Sequence, residues 1–231
     1  LFVYWNVREP YPELRMQDEG AYLRDGFKSV NNFGVPLEST WQFKRSLINK
    51  EPSEESFTKA LDNKAIEYRR VLEIDTIKEC IFNMQPVIFS TEIGNDFYYI
   101  QGPLDNQTYA KIDTNNPLDG YHAMTIVGYD DNLESFIVEN SWSEKWGDFG
   151  YCLFPYEVYL QDAYDAWVCT KFDLGLLGLP EPEIIPEPEP EIIPEPEPEI
   201  IPEPELQEET GFFAAVKKFF RSICRAIGFC Q

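Results

Sequence analysis

Apolar positions in the first third of the chain recur at helical spacing. Between Ala21 and Val30, the residues Leu23, Phe27 and Val30 fall on one face, with Arg24, Asp25, Lys28 and Ser29 between them. Gly34 follows, a residue suited to a helix C-terminal cap. Ser53-Glu54-Glu55-Ser56 reads as a helix start, and Glu54–Leu61 and Ile74–Phe82 read as two further short helices. From Pro86 the pattern changes. Pro86–Ser90, Ala123–Tyr129, Ser135–Glu139 and Gly150–Phe154 are short, β-branched and aromatic, with Gly, Asn, Asp and Pro between them. Such runs predict strands. A helical portion thus precedes a β portion, which predicts an α+β fold with a cleft between the two parts. The boundaries read as a globular domain over residues 1–178, helical over about 1–83 and β over about 84–172.

Beyond this domain the pattern stops being globular. EPEIIPEP recurs over residues 180–205, with Ile pairs beginning at 184, 192 and 200. Dense proline blocks helix and sheet, and repeated glutamate repels itself, so residues 179–209 predict an extended, semi-rigid linker. At roughly 3 Å per residue it reaches about 80 Å. Residues 210–231 differ again. Phe212, Val216, Phe219, Phe220, Ile223 and Ile227 form a helical apolar stripe, and Lys217, Lys218, Arg221 and Arg225 lie off it. A short basic amphipathic helix predicts a membrane surface or a partner protein as its target. The alternative is docking back on the acidic domain. Acylation of Cys224 or Cys230 would add a second anchoring signal.

Composition narrows the function classes. The 231 residues carry 41 acidic and 19 basic side chains, a formal net charge of -22. Nucleic acid is excluded as a partner, because phosphate backbones are bound by Lys and Arg. Cys80, Cys152 and Cys169 are an odd set within the domain, with no dense disulfide framework. Reduced thiols and a cytoplasmic or otherwise reducing location follow as expectations. Neither a signal peptide nor a run of about 18 apolar residues is visible. The chain begins at Leu1 rather than Met, which reads either as a processed N-terminus or as part of a longer product.

The candidate chemistry lies in DGYHAMTIVGYDDNLESFIVENSWSEKWGDFGY, residues 119–151. It contains the single histidine of the chain, His122, and Asn140. A neutral imidazole takes a proton from a thiol or hydroxyl, and needs a third group to hold its ring. An Asn oxygen does this without adding charge. Trp142 and Trp146 are placed to cover that bond and exclude water, which strengthens it. The bland alternative is a satisfied core histidine.

Two motifs favour the chemical reading. Gly120-Tyr121-His122-Ala123 leads into Val127-Gly128-Tyr129, and Asn140-Ser141-Trp142-Ser143-Glu144-Lys145-Trp146-Gly147-Asp148-Phe149-Gly150-Tyr151 follows. This resembles the papain-like cysteine proteases, which place a catalytic His in G-x-H-A before V-G-Y and a catalytic Asn in N-S-W-G-x-x-W-G-x-x-G-Y. Ser143 departs from the family glycine. LFVYWNVRE and DEGAYLRDGFKSVNNFGV, followed by Trp41, look like the helical half of the microbial and viral branch. The resemblance implies a papain-like two-part fold and catalytic roles for His122 and Asn140. It places Glu19 and Gly20 on the stretch that binds substrate backbone, with Glu where the family has the first of two glycines. Tyr121 and Ala123 flank His122 and shape the site. No cofactor or metal is implied, and the expected partner is a peptide or protein substrate.

The nucleophile is missing from this picture. The family cysteine lies in a Q-G-x-C-G-S-C-W type segment about 130–150 residues before the His, which lands roughly 10–30 residues before Leu1. Lys78-Glu79-Cys80-Ile81-Phe82 has no glycine turn, Gln or Trp, so Cys80 reads as a small apolar residue on a helix. Three readings stay open: a cysteine peptidase whose thiol lies upstream of this chain, with the chain alone inactive; a catalytically dead pseudoprotease that binds peptides or partners; and a tethered interaction protein whose function is the spacer and tail.

Overall fold

The computed structural model describes residues 1–11, 13, 18, 20–101 and 118–174. The expected linker and tail helix, and Glu19, lie outside the described residues. In chain order the elements are α1 (Phe2–Arg8), α2 (Leu23–Phe33), α3 (Glu54–Ala60), β1 (Asn63–Arg70), α4 (Ile74–Phe82), β2 (Val87–Gly94), β3 (Leu118–Asp130), β4 (Ser135–Glu139), β5 (Tyr151–Pro155), α5 (Tyr156–Asp162) and β6 (Ala163–Leu174). Short 3-10 turns occur at Arg45–Leu47 and Asn95–Tyr99.

Local chemistry sets the helix ends. The stripe of Leu23, Phe27 and Val30 is buried, and α2 stops at Gly34, whose N–H reaches the Val30 carbonyl at 3.0 Å. Gly34 has φ +73°, and a Cβ there would lie 1.8 Å from the Ala60 carbonyl oxygen, so only glycine fits. α3 is capped by Ser53, whose hydroxyl accepts from the Ser56 N–H at 3.2 Å, with Glu54 and Glu55 in its first turn. α4 buries Ile77 and Cys80.

The strands form one six-stranded sheet in the order β1-β6-β2-β3-β4-β5, every pair antiparallel. Side chains alternate across it, as the pleat requires. Val87 and Phe89 on β2, with Met124 and Ile126 on β3, pack with α4 and α5 into one core. Ile88 and Ala123 face the opposite way and pack with Val3 of α1 and Leu23, Phe27 and Val30 of α2. The sheet is thus sandwiched, with the first helices on one face and α4 and α5 on the other. The fold is α+β, with helices packed on both faces of one antiparallel sheet.

Four elements were not legible in the pattern. β1 lies within the expected helical part, yet forms the sheet edge beside β6, from Asn63 opposite Leu174 to Arg70 opposite Trp167. Its lysine, glutamate and arginines are those of an edge strand, which hide the alternation. α1 is apolar on nearly every side, a pattern that does not separate helix from strand. α5 and β6 follow each other with no intervening loop, so no turn residue marks the change.

Candidate functional site

His122 sits in the middle of β2–β3 pairing, opposite Thr91, and is 1% exposed. Asn140 is the first residue after β4 and is 3% exposed. β3 and β4 are neighbours, and this brings the two residues together although eighteen positions separate them. His122 Nε2 and Asn140 Oδ1 lie 2.9 Å apart. The same Asn140 oxygen accepts the backbone N–H of Ser141 at 2.7 Å. That second bond fixes the amide: the atom facing the imidazole is the oxygen, an acceptor. Nε2 therefore donates to it, and in the neutral imidazole this leaves the basic lone pair on Nδ1.

Aromatic rings enclose this bond. Trp142 follows β4 by three residues, and the β3–β4 register extended over those residues brings it level with His122. Their rings are 4.6 Å apart. Tyr98 stacks on the outer face of Trp142 at 5.0 Å and 10°, and Phe97 touches both His122 and Trp142 at 6.0 and 5.5 Å. Trp146 plays a different part. It packs edge-on against Trp142 at 5.7 Å, and its indole N–H donates to the Phe97 carbonyl at 2.9 Å. Trp142 covers the His122–Asn140 bond; Trp146 anchors the turn that brings Phe97 and Tyr98 to the site. Those last two residues lie on no motif, and only the fold reveals them.

The loop holding Asn140 is tightly stitched. Asn140 N–H donates to Gly150 O at 2.8 Å, Gly150 N–H to Trp146 O at 2.8 Å, and Gly147 N–H to Ile100 O at 2.9 Å. The path requires left-handed backbone at Ser143, Gly147, Phe149 and Gly150. Ser143 adopts φ +85° without glycine's freedom.

Beside this centre is a cleft of about 1120 Å³. Gly20, Ala21, Tyr22 and Leu23 line one side; Ser90, Tyr121, Ala123, Tyr164, Asp165 and Trp167 line the sheet side. Gly20, Tyr121 and Ala123 thus meet at one cleft, and His122, between the last two, turns to the opposite face of its strand. One ion pair joins β1 to β6 here: Arg70 Nε donates to Asp165 Oδ1 at 2.6 Å, and Trp167 Nε1 donates to Asp165 Oδ2 at 2.6 Å. Strand alternation points Ser90 and Asp165 away from the core of α4 and α5, but nothing in the sequence says that a cleft lies there.

The described cysteines are elsewhere. Cys80, Cys152 and Cys169 are free and buried. Desolvation pushes all three thiols up, Cys169 to about 12. Cys80 lies on α4 with its sulfur 3.5 Å from the Arg69 guanidinium. A buried, protonated thiol is inert.

Histidine and asparagine are thus paired across the β3–β4 end of a helix-covered antiparallel sheet, and the neighbours of His122 line a cleft on the other face of its strand. Residues 15–162 match the papain family cysteine protease profile. An uncharacterized peptidase C1-like protein of Acanthamoeba polyphaga mimivirus is 30% identical over 189 residues, covering 74% of this chain and 58% of that protein. The chain therefore spans little more than half the length of that relative. Xylellain, a cysteine protease of Xylella fastidiosa, superposes with a TM-score of 0.62 at 31% identity, covering 72% of this chain and 67% of that one. A shorter stretch of 91 residues is 30% identical to a cathepsin B-like protein of Giardia intestinalis, covering 38% of this chain and 28% of that protein. The chain belongs to the papain family of cysteine proteases, the peptidase C1 hydrolases.

Proposed function

We propose that this domain hydrolyses peptide bonds by a Cys–His–Asn mechanism, with the thiol supplied by polypeptide outside residues 1–231. The observation that carries the reading is the Asn140 oxygen, held by Ser141 N–H and aimed at Nε2 of His122. With Nε2 protonated, Nδ1 takes the thiol proton. The thiolate attacks the peptide carbonyl carbon, forming a C–S bond. The imidazolium then returns its proton to the leaving amine as the C–N bond breaks. Water, deprotonated by His122, cleaves the thioester and restores the thiol. Asn140 holds the ring through both proton transfers, and Trp142 keeps competing water from the bond. Among the described residues Cys80, Cys152 and Cys169 are buried and inert, and neither Cys224 nor Cys230 sits in a Q-G-x-C-G-S-C-W type run, which supports a thiol from elsewhere; residues 1–231 alone are expected to be inactive.

The test begins with the coding sequence before Leu1. The extended polypeptide, carrying any cysteine encoded there, is assayed on fluorogenic peptides beside its Cys→Ala and His122→Ala variants. Turnover that both substitutions abolish is the expected result. An extension with no cysteine, or turnover that survives His122→Ala, overturns the mechanism and leaves a peptide-binding scaffold. The apolar spacing of Phe212 to Ile227 in the sequence, with Lys217, Lys218, Arg221 and Arg225 off that stripe, supports tethering to an anionic membrane surface or partner, and the free thiols of Cys80, Cys152 and Cys169 support a reducing location. Flotation of the full chain with phosphatidylserine vesicles, against a chain ending at residue 209, tests the tether.

A further inference from the structure

Gly20, Ala21 and Tyr22 line one wall of the cleft and, like Asp18, belong to no helix or strand. Something else must fix its position. Tyr4, on α1, is 1% exposed, and its hydroxyl makes two bonds to this segment. It donates to Asp18 Oδ1 at 2.8 Å and accepts the Gly20 N–H at 3.1 Å. One hydroxyl thereby uses both its donor and an acceptor position on residues two apart. The geometry demands the backbone it gets: Gly20 has φ +84°, a left-handed value that glycine adopts without strain.

Tyr4 is itself held from behind. The Arg8 guanidinium lies 3.8 Å from the centre of its ring. Arg8 Nε donates to the Tyr4 carbonyl at 3.2 Å, and Nη1 donates to Asn49 Oδ1 at 2.9 Å, with Nη2 donating to the Ile48 carbonyl. The cation is thus pinned to a second segment, so the ring has little room to move. Burial and the Asp18 bond push the Tyr4 phenol up to about 12, which keeps its O–H as a donor at every physiological pH.

We propose that Tyr4 is a positioning residue for the substrate cleft: its hydroxyl holds Asp18 and Gly20 so that the backbone of residues 20–22 presents a fixed edge to an extended peptide. This rests on the peptidase reading and adds a role to a residue outside both motifs. A peptide that lies along an irregular segment must otherwise order it on binding, and prior ordering lowers that cost. The hydroxyl acts on binding rather than on bond cleavage, because Tyr4 reaches the cleft wall and not His122.

The experiment uses the extended polypeptide described above. Tyr4→Phe keeps the ring, its burial and its contact with Arg8, and removes only the hydroxyl. The expected result is a rise in KM of about fivefold or more at unchanged kcat, from the loss of two ordered hydrogen bonds. Asp18→Ala produces a rise of the same kind, Asp18→Asn recovers much of the loss because its carbonyl still accepts, and the Tyr4→Phe/Asp18→Ala pair is less than additive. Faster hydrogen exchange at the Gly20 amide in Tyr4→Phe accompanies the change. An unchanged KM overturns the inference, and so does a fall in kcat at constant KM. A lowered KM overturns it too, since Tyr4 would then compete with substrate for the Gly20 N–H. Wild-type polypeptide without turnover sinks the peptidase reading and this inference together; normal turnover with an unaltered KM in Tyr4→Phe sinks this inference alone.

Discussion

Ser143 stands where the papain-like pattern has glycine, at φ +85°. Holding a non-glycine residue in the left-handed region costs about 1–2 kcal/mol. Glycine relieves that strain but enlarges the freedom of the unfolded chain, which costs about 0.4–1 kcal/mol. The Ser143 hydroxyl has little to lose, since its bond from the Lys145 N–H is long at 3.4 Å. Ser143→Gly should therefore stabilise the domain by about 0.5–1 kcal/mol. For a domain of this size that raises Tm by about 1–4 °C. Four residues on, the same loop supplies the opposite control. Gly147 has φ +60°, and a Cβ there would lie 2.2 Å from the Tyr151 carbonyl oxygen. Backbone cannot yield as a side-chain tip can, so Gly147→Ala should destabilise by at least about 2 kcal/mol. Urea unfolding of residues 1–231, followed by tryptophan fluorescence, reads both signs. A Ser143→Gly midpoint at or below wild type, at unchanged m-value, refutes the strain argument. A neutral Gly147→Ala refutes the loop path itself.

Further expectations concern the site and the thiols. In the active extended polypeptide, Asn140→Ala should lower kcat/KM by about 5- to 150-fold, the worth of a buried bond of about 1–3 kcal/mol, while folding is kept; an unchanged rate refutes its orienting role. Trp146→Phe removes the bond to Phe97 O and should cost about 1 kcal/mol or more in urea titration, with near-wild-type stability counting against the anchor. Iodoacetamide should leave Cys80, Cys152 and Cys169 unmodified in the native chain at pH 8 and alkylate them once it unfolds; rapid native labelling of Cys80 contradicts its burial. The folded thiols have raised pKa values, so the stability they contribute is complete below the unfolded thiol pKa of about 8.5 and is lost as pH rises above it. Stability rising between pH 9 and 11 would count against the burial of Cys152 and Cys169.

The sequence was most informative where one residue type does one physical job. The stripe Leu23, Phe27 and Val30 and the stop at Gly34 located α2, because burial and positive φ admit few residues. His122 and Asn140 were legible because the residues around them form specific runs. Their separation in space was not; it depends on the β3–β4 register. The aromatic cover was half legible: Trp142 neighbours Asn140 in sequence, whereas Phe97 and Tyr98 arrive from a distant turn held by Trp146. The cleft was least legible of all. Arg70, Ser90 and Asp165 line it from three strands, two of which give no clean alternation. Tyr4 reads as one more apolar position on α1, and only its two hydroxyl bonds distinguish it.

The place of β6 in the sheet has a consequence in time. It is the last of the described strands to be made, yet it lies between β1 and β2 and pairs with both. Until residues 163–174 leave the ribosome, β1 has no partner in the sheet and β2 has an open edge. Neither face can finish packing, because Val168 belongs to one core and Cys169 to the other. Contacts spanning more than a hundred residues close late and slowly. A nascent chain of this domain therefore carries an unpaired β1 and an open β2 edge until β6 emerges, and the step that hides them is the insertion of that strand.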